Sequence, residues 1–145
     1  MKYQPITYKL LKKKKISKDQ LDLIEKAFGK ENPIPLDNTI FSLNIGWFSK
    51  NLLTKKDLVL YKKVETPAWN LFENIRNPIL AEYEKTMTPV LNEYNTKLTE
   101  KARIKFEKLN TTTEQKYLKR LDTFYKEYKQ TICLKFIDLY KKGMQ

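Results

Sequence analysis

The second half of the chain repeats a pattern of polar and apolar positions every eleven residues. Three blocks open with a capping residue and a proline, at Thr66–Pro67, Asn77–Pro78 and Thr88–Pro89, and each continues with a large apolar residue in fourth place and an aromatic residue in seventh. Eleven residues correspond to three turns at about 3.67 residues per turn, so the repeat places one apolar stripe along one side of a helix. The pattern predicts a long amphipathic helix that begins near Thr66. The residues of its apolar stripe are Phe72, Ile75, Ile79, Tyr83, Met87, Leu91, Tyr94, Leu98, Ala102, Phe106 and Leu109.

The prolines of these blocks leave two interpretations open. A proline inside a helix removes a backbone hydrogen bond and costs about 3 kcal/mol or more, whereas a proline directly after an N-cap residue suits the first helical position. Pro67, Pro78 and Pro89 could therefore start separate short helices or kink one long helix. The stripe stays in phase across them, which favours helices joined at kinks. The stretch from Pro89 to Leu109 contains no breaker and is predicted to be helical throughout.

The stripe loses its phase at Asn110, which is one residue more than the eleven-residue count allows. Thr111 with Glu114, or Thr112 with Gln115, offers a new capping box there. We therefore expect a turn near 110–113 and a last helix from about Thr113 to Lys142. Two striped helices that a short polar turn connects are antiparallel neighbours, so residues 66–143 are predicted to form a helical hairpin.

Residues 17–65 are predicted to form a cluster of three short helices. Ser17 and Gln20 make a capping box for the first, and Gly29 is expected to end it. The second is expected between Asp37 and Ile45, although Phe41, Leu43 and Ile45 also alternate as in a strand. Gly46 should end this helix and leave Trp47 and Phe48 in a turn. The third is expected from Thr54 to Lys63, with Thr54 and Asp57 as its capping pair.

Residues 1–16 are predicted to form a basic arm. Ile6, Tyr8 and Leu10 alternate with polar residues, which is compatible with a short strand or an extended segment, and a run of four lysines follows at 12–15. The predicted fold class is therefore all-α, with a small N-terminal helical cluster followed by a long kinked helix and an antiparallel partner helix.

The charge of the chain is strongly positive. The sequence of 145 residues carries a formal net charge of +12, and of its 29 basic residues only Arg76, Arg103 and Arg120 are arginine. Lysine acts as a mobile point charge and lacks the planar fork with which arginine recognises bases, so this composition favours attraction to polyanions without sequence preference. The same abundance of lysine, asparagine and isoleucine would also follow from an AT-rich genome.

The sequence lacks the residue types that several catalytic and binding sites require. The chain has no histidine, only three glycines and a single cysteine, Cys133. Histidine-assisted catalysis, a glycine-rich phosphate loop and an internal disulfide are therefore excluded. We predict no enzymatic activity, no catalytic residue, no metal and no cofactor. The sequence shows neither a secretory signal nor a run of about 20 apolar residues, so a cytoplasmic location is expected.

The leading functional hypothesis is a non-enzymatic basic helical protein that binds nucleic acid or a nucleoprotein complex without reading its sequence. Lysine would contact phosphates, and aromatic side chains would stack on bases. Trp47 and Phe48 are candidates for stacking or partner contact, although core packing or docking onto the long helices explains them better. The basic candidates are Lys12, Lys13, Lys14, Lys15, Lys55, Lys56, Lys62, Lys63, Lys116, Lys119, Arg120, Lys126 and Lys129.

Two alternatives follow from the apolar pattern. Residues 66–143 carry more apolar side chains than one hairpin can bury, and this surplus would pack on the N-terminal helices or on a second copy of the chain, as a homodimer. It also suits an accessory or inhibitor protein of a phage or mobile element that binds a host protein complex through apolar and lysine-rich surface. The proline-punctuated blocks of Thr66–Leu98 also resemble the repeats of exchangeable apolipoproteins, and this resemblance implies binding to a membrane surface. Basic residues are few where the proline repeat is most regular, which weakens the third hypothesis.

Overall fold

The structure, a computed structural model, describes residues 2–145, and every regular element among them is helical. The predicted all-α fold class is thus confirmed. The elements are α1 (Tyr8–Lys13), α2 (Lys18–Phe28), a short 3₁₀ helix (Asn38–Ser42), α3 (Ile45–Leu52), α4 (Lys55–Lys97), α5 (Glu100–Thr113), a π-helical segment (Glu114–Leu118) and α6 (Lys119–Met144).

The chain divides into two compact units. The first unit comprises the residues up to Ala68 together with Lys129–Gln145, and the second unit comprises Trp69–Tyr128. The buried hydrophobic residues of the first unit come from every part of it and include Tyr3, Ile6, Leu11, Ile16, Ile24, Ile34, Ile40, Leu43, Ile45, Phe48, Leu53, Tyr61, Ile132, Phe136 and Tyr140. In the second unit, the buried residues on the predicted stripe are Phe72, Ile79, Met87 and Ala102.

The N-terminal segment differs from the predicted extended arm. Thr7 caps α1 by accepting a hydrogen bond from the backbone N–H of Leu10 at 3.1 Å. Leu11 and Ile16, on either side of the lysine run, are buried. The alternation that suggested a strand is therefore overridden by a side-chain cap and by the packing of two apolar residues on the core of the first unit.

The first predicted helix is confirmed as α2, which Ser17 caps and which ends at Gly29 in the left-handed region, with φ 77°. Only half of the expected capping box forms. The hydroxyl of Ser17 accepts from the backbone N–H of Gln20 at 3.4 Å, but the side chain of Gln20 accepts instead from the backbone N–H of Asn44 at 2.9 Å. The glutamine thereby joins α2 to the start of α3.

The predicted helix from Asp37 to Ile45 is wrong in its length and in its end. Asp37 does act as a cap, but only a five-residue 3₁₀ helix follows it. The helix that contains Gly46 begins at Ile45, because the side chain of Asn44 accepts from the backbone N–H of Trp47 at 3.0 Å and so provides a second cap. Gly46 therefore lies inside the first turn of α3 and does not end a helix.

The third predicted helix does not end at Lys63. Helix α4 runs without a break from Lys55 to Lys97 and contains Pro67, Pro78 and Pro89. All three prolines are exposed, so solvent can hydrate the carbonyl groups that each proline leaves without a helical partner. Packing of the opposite, apolar face offsets the remaining cost, which explains why the prolines do not start separate helices.

The chain turns at Leu98–Thr99, and the expected turn at 110–113 is wrong because those residues belong to α5. Leu98 adopts the left-handed region with φ 50°, and the side chain of Thr99 caps α5 by accepting from the backbone N–H of Ala102 at 3.2 Å. The uninterrupted helix expected from Pro89 to Leu109 is therefore also wrong. No glycine or asparagine occupies the left-handed position, which removes the usual signal of a helix end.

The residue that Asn110 adds to the eleven-residue count does not produce the expected turn. Residues Glu114–Leu118 form a π-helical segment between α5 and α6, and such a segment typically accommodates one inserted residue within a helix. The second unit is nevertheless an antiparallel hairpin, because residues of increasing number along α4 contact residues of decreasing number along α6 and α5. The contacts are Trp69 with Tyr128 (ring centroids 5.2 Å apart), Phe72 with Tyr125 (5.6 Å), Tyr83 Oη with Asn110 Oδ1 (3.1 Å) and Tyr94 with Phe106 (5.8 Å).

Candidate nucleic-acid interface

The positive charge of the chain is concentrated in the first unit. That unit contains 18 lysines and no arginine against 8 acidic residues, a formal net charge of +10, whereas the second unit contains 11 basic and 9 acidic residues, a net of +2. All 18 lysines are exposed except Lys129 and Lys135, which are half-buried. The candidate interface is therefore chiefly a property of the first unit.

The run Lys12–Lys15 covers the end of α1 and the residues after it. All four side chains are exposed, and within residues 2–145 none of them forms an ion pair. Lys12 and Lys13 lie in the last turn of α1, where cations interact favourably with the helix dipole. Lys15 has a φ of 63°, and buried Leu11 and Ile16 fix the run on both sides. The structure thus displays four cations together on an anchored segment.

The first turns of α4 carry the second group of predicted lysines. Lys55, Lys62 and Lys63 surround a shallow depression of about 450 Å³ whose apolar wall is Leu58 and Val59. Lys62 also forms an ion pair with Glu65. Lys56 lies at a different angle around the helix and lines a separate cleft in the first unit.

The predicted basic group of residues 116–129 does not form one set. Lys116, Lys119, Arg120 and Lys126 are exposed in the second unit, where Lys126 pairs with Asp122 at 2.9 Å and the ammonium of Lys116 lies 5.2 Å from the ring centroid of Tyr117. Lys129 belongs to the first unit and is half-buried. Its ammonium donates to the backbone carbonyl of Leu43 at 3.5 Å and lies 5.9 Å from the ring centroid of Phe41, so it serves internal packing.

The two aromatic candidates have different environments. Phe48 is fully buried and packs against Phe136 with ring centroids 5.8 Å apart, so the hypothesis that Phe48 stacks on a ligand is wrong. Phe48 lies in α3, where a turn was expected, and its side chain is directed into the core. Trp47 is half-buried and contacts Phe48 edge to face at 6.0 Å.

Sequence reasoning missed a cluster around Asp57 in the first unit. The Asp57 side chain is only 8% exposed and accepts from Lys2 at 2.6 Å and from the hydroxyl of Tyr3. Burial alone would raise the pKa of the Asp57 carboxyl, but the hydrogen bonds from Lys2 and Tyr3 outweigh burial and hold this pKa below its ordinary value. The hydrogen bond from Lys2 to Asp57 likewise raises the pKa of Lys2. The sequence signal was limited to the pairing of Asp57 with the Thr54 cap.

A second missed cluster lies in the second unit. The rings of Trp69, Phe72, Tyr125 and Tyr128 pack together at centroid distances between 5.2 and 6.2 Å. The guanidinium of Arg76 lies 5.4 Å from the Trp69 ring and 5.6 Å from the Phe72 ring. Arg76 thus provides a cation for the rings of Trp69 and Phe72 within the cluster.

A metal site, a membrane-spanning helix and a reactive cysteine each require particular features of the described residues. Among residues 2–145, no group of three or more histidine, cysteine, aspartate or glutamate side chains is arranged to hold a metal ion. In the same range, no helix combines the length and the apolar character needed to cross a membrane. Cys133 is buried, and its burial raises the pKa of the thiol to about 11.

Comparisons of the chain with protein-family models, with curated proteins and with solved structures find no match.

Proposed function

We propose that this protein is a non-enzymatic helical binding protein and that its first unit binds the phosphate backbone of nucleic acid, free or in a nucleoprotein complex. The observation that carries the proposal is the formal charge of +10 on a unit whose basic residues are all lysine and almost all exposed. A genome that favours lysine codons would enrich both units alike, but the second unit balances its lysines and arginines with nearly as many acidic residues.

Lysine contacts explain the kind of binding that is proposed. An ammonium group neutralises a phosphate and releases a condensed counterion, so affinity falls steeply with salt and depends little on base sequence. Base reading depends largely on arginine, asparagine or glutamine side chains at base edges, and the first unit has no arginine. We therefore expect binding that is electrostatic and non-specific, with Lys12–Lys15 and the lysines at the start of α4 as the main contacts.

The test is a fluorescence anisotropy titration with labelled single-stranded DNA, duplex DNA and single-stranded RNA. We expect a linear fall of log affinity with log salt concentration between about 50 and 200 mM salt, with a slope of about 0.9 per neutralised phosphate on duplex DNA. Absence of binding at the lowest salt concentration would refute the proposal.

Two variants of equal net charge locate the interface. The first variant replaces Lys13, Lys14 and Lys15 by glutamine and so removes three exposed cations from the first unit. The second variant replaces Lys85, Lys101 and Lys108 by glutamine and so removes three exposed cations from the second unit. We expect the first variant to weaken binding and to flatten the salt slope, and the second to resemble the parent. Equal losses in the two variants would show that only total charge matters.

A second candidate function is docking to an acidic partner protein. The observation that favours it is Val59, which is 57% exposed in the depression bordered by Lys55, Lys62 and Lys63. An exposed apolar centre within a charged rim is the arrangement of a protein interface. Val59→Ser removes the apolar centre and keeps the charge, so it should weaken capture of such a partner and leave nucleic-acid affinity nearly unchanged. Leu71→Ser, at a leucine of the second unit that is 63% exposed, is the control that should retain capture.

A further inference from the structure

A cleft of about 390 Å³ lies in the first unit, between the first two turns of α4 and the last turns of α6. Lys56 and Leu60 face it from α4, and Leu139 faces it from α6. Lys2 also lines the cleft, from the N-terminal segment. The charged side chains that line the cleft are Lys2, Lys56, Asp57, Lys135, Asp138 and Lys142.

These side chains carry an uncompensated charge. Lys2 pairs with Asp57 at 2.6 Å, and Lys142 pairs with Asp138 at 3.0 Å. Lys56 and Lys135 line the same cleft, and neither forms an ion pair with any residue in the range 2–145. The lining side chains therefore have a formal charge of +2, and the two unmatched ammonium groups come from opposite walls.

The walls of the cleft are held in place before any ligand binds. The backbone N–H groups of Lys2 and Tyr3 donate to the carbonyl of Gly143 at 2.7 and 2.8 Å. The ring of Tyr3 stacks on Tyr140 with centroids 4.4 Å apart, and its hydroxyl donates to Asp57. This network ties the N-terminal segment to α4 and to α6, so the binding of a ligand requires little reorganisation of the backbone.

We propose that this cleft binds a phosphate monoester dianion. A monoester carries a charge of about −1.5 to −2 at neutral pH, which matches the two unpaired lysines, whereas an internal phosphodiester carries only one negative charge. The volume lies within the range of small-molecule sites, about 300–1,000 Å³, and Leu60 and Leu139 provide apolar wall for a sugar or base. The ligand is either the terminal phosphate of a nucleic-acid strand or a free nucleotide, and the former rests on the proposed function.

The experiment compares a 5′-phosphorylated oligonucleotide with the same oligonucleotide bearing a 5′-hydroxyl, at a salt concentration where both bind. We expect the phosphorylated strand to bind about tenfold more tightly, because hydrogen bonds to charged groups contribute about that factor or more. A nucleoside monophosphate should displace the phosphorylated strand if free nucleotides also enter the cleft. Its failure to compete, with the strand preference intact, assigns the cleft to strand ends.

The variant that tests the site is Lys56→Gln with Lys135→Gln, and its matched control is Lys55→Gln with Lys141→Gln. The control removes two lysines from the same two helices, one residue away from each, and neither of its positions lines the cleft. We expect the first variant to lose the preference for the 5′-phosphate and the control to keep it, with both melting at the parent temperature. If Lys56→Gln with Lys135→Gln melts at a lower temperature than the parent, the single variants Lys56→Gln and Lys135→Gln are compared with Lys55→Gln and Lys141→Gln instead.

Equal affinity of the parent protein for the two oligonucleotides together with no stabilisation by a nucleoside monophosphate, or a preference that persists in Lys56→Gln with Lys135→Gln, would overturn this inference. Either result would leave the proposed function standing, because internal phosphates would still bind the exposed lysines of the first unit. Absence of any nucleic-acid binding together with stabilisation by a nucleoside monophosphate would retain the cleft and refute the proposed function.

Discussion

Replacement of Gly143 by alanine is expected to destabilise the protein, although the same replacement usually stabilises a helix. A Cβ atom at this position would lie 2.1 Å from Cδ2 and 2.4 Å from Cε2 of Tyr3. The tyrosine is 6% exposed and stacks on Tyr140, so its ring cannot give way without leaving the core. The alanine therefore forces the Tyr3 ring out of its site.

The magnitude follows from what Tyr3 contributes. Loss of its ring from the core removes about 1.5–3 kcal/mol of burial, and loss of the stacking with Tyr140 removes about 0.5–1.5 kcal/mol more. The gain in helix propensity from glycine to alanine is at most about 1 kcal/mol. We expect a net loss of about 2–3 kcal/mol, which lowers the melting temperature by roughly 5–10 °C for a chain of this size.

The assay is urea unfolding followed by circular dichroism, and the chain supplies its own control. Gly46 also lies in a helix, but a Cβ there would meet only Asn44 Oδ1 at an ordinary 3.5 Å. Gly46→Ala should therefore leave stability unchanged or raise it by up to about 1 kcal/mol.

A double-mutant cycle decides whether Tyr3 is the cause. In a Tyr3→Ala background the clash is absent, so Gly143→Ala should become neutral or stabilising. The reasoning fails if Gly143→Ala alone is as stable as the parent, or if its cost remains undiminished in the Tyr3→Ala background.

Three other outcomes are expected. Asp57→Asn should lower the free energy of unfolding by about 1.5–3 kcal/mol at neutral pH. Because the pKa of Asp57 is lowered in the folded state, the stability that its carboxylate provides is complete above the unfolded pKa of about 3.9 and is lost as the pH falls through the folded pKa. A difference in urea midpoints that does not change with pH would contradict this prediction. Cys133, with a pKa raised to about 11 and 2% exposure, should react with a thiol reagent at pH 8 only as fast as the protein opens, and immediate labelling of the native protein would disprove its burial. Leu98→Gly should stabilise by about 1 kcal/mol, because Leu98 is 74% exposed and holds a left-handed conformation; a lower melting temperature would show that its side chain is used.

Features with a local cause were predictable. Ser17 and Gly29 bound α2 as expected, because a cap and a left-handed glycine act within a few residues of their own position. The eleven-residue stripe correctly placed Phe72, Ile79 and Met87 on a buried face. The candidate lysines could be named because exposure is the default state of a lysine.

Features that depend on distant partners were not predictable. The capping pattern of Thr111–Glu114 resembles a helix start as strongly as that of Thr99 does, and only pairing between the legs selects Thr99 and imposes a positive φ on Leu98. The prolines of α4 stay helical because their face is exposed and the opposite face is packed. Asp57 interacts with Lys2 and Tyr3, which lie more than fifty residues away in the chain.

The sequence by itself determined that the chain is helical, where most of its apolar faces lie and that its charge is positive, since these depend on residue type and on periodicity along the chain. Only the tertiary structure decided where the hairpin turns, that Phe48 belongs to the core, that the positive charge is concentrated in one unit and that lysines of three segments line one cleft. The physical reason is that packing brings together residues that are far apart in sequence. A local sequence pattern does not specify which of several possible partners buries its apolar side chains best.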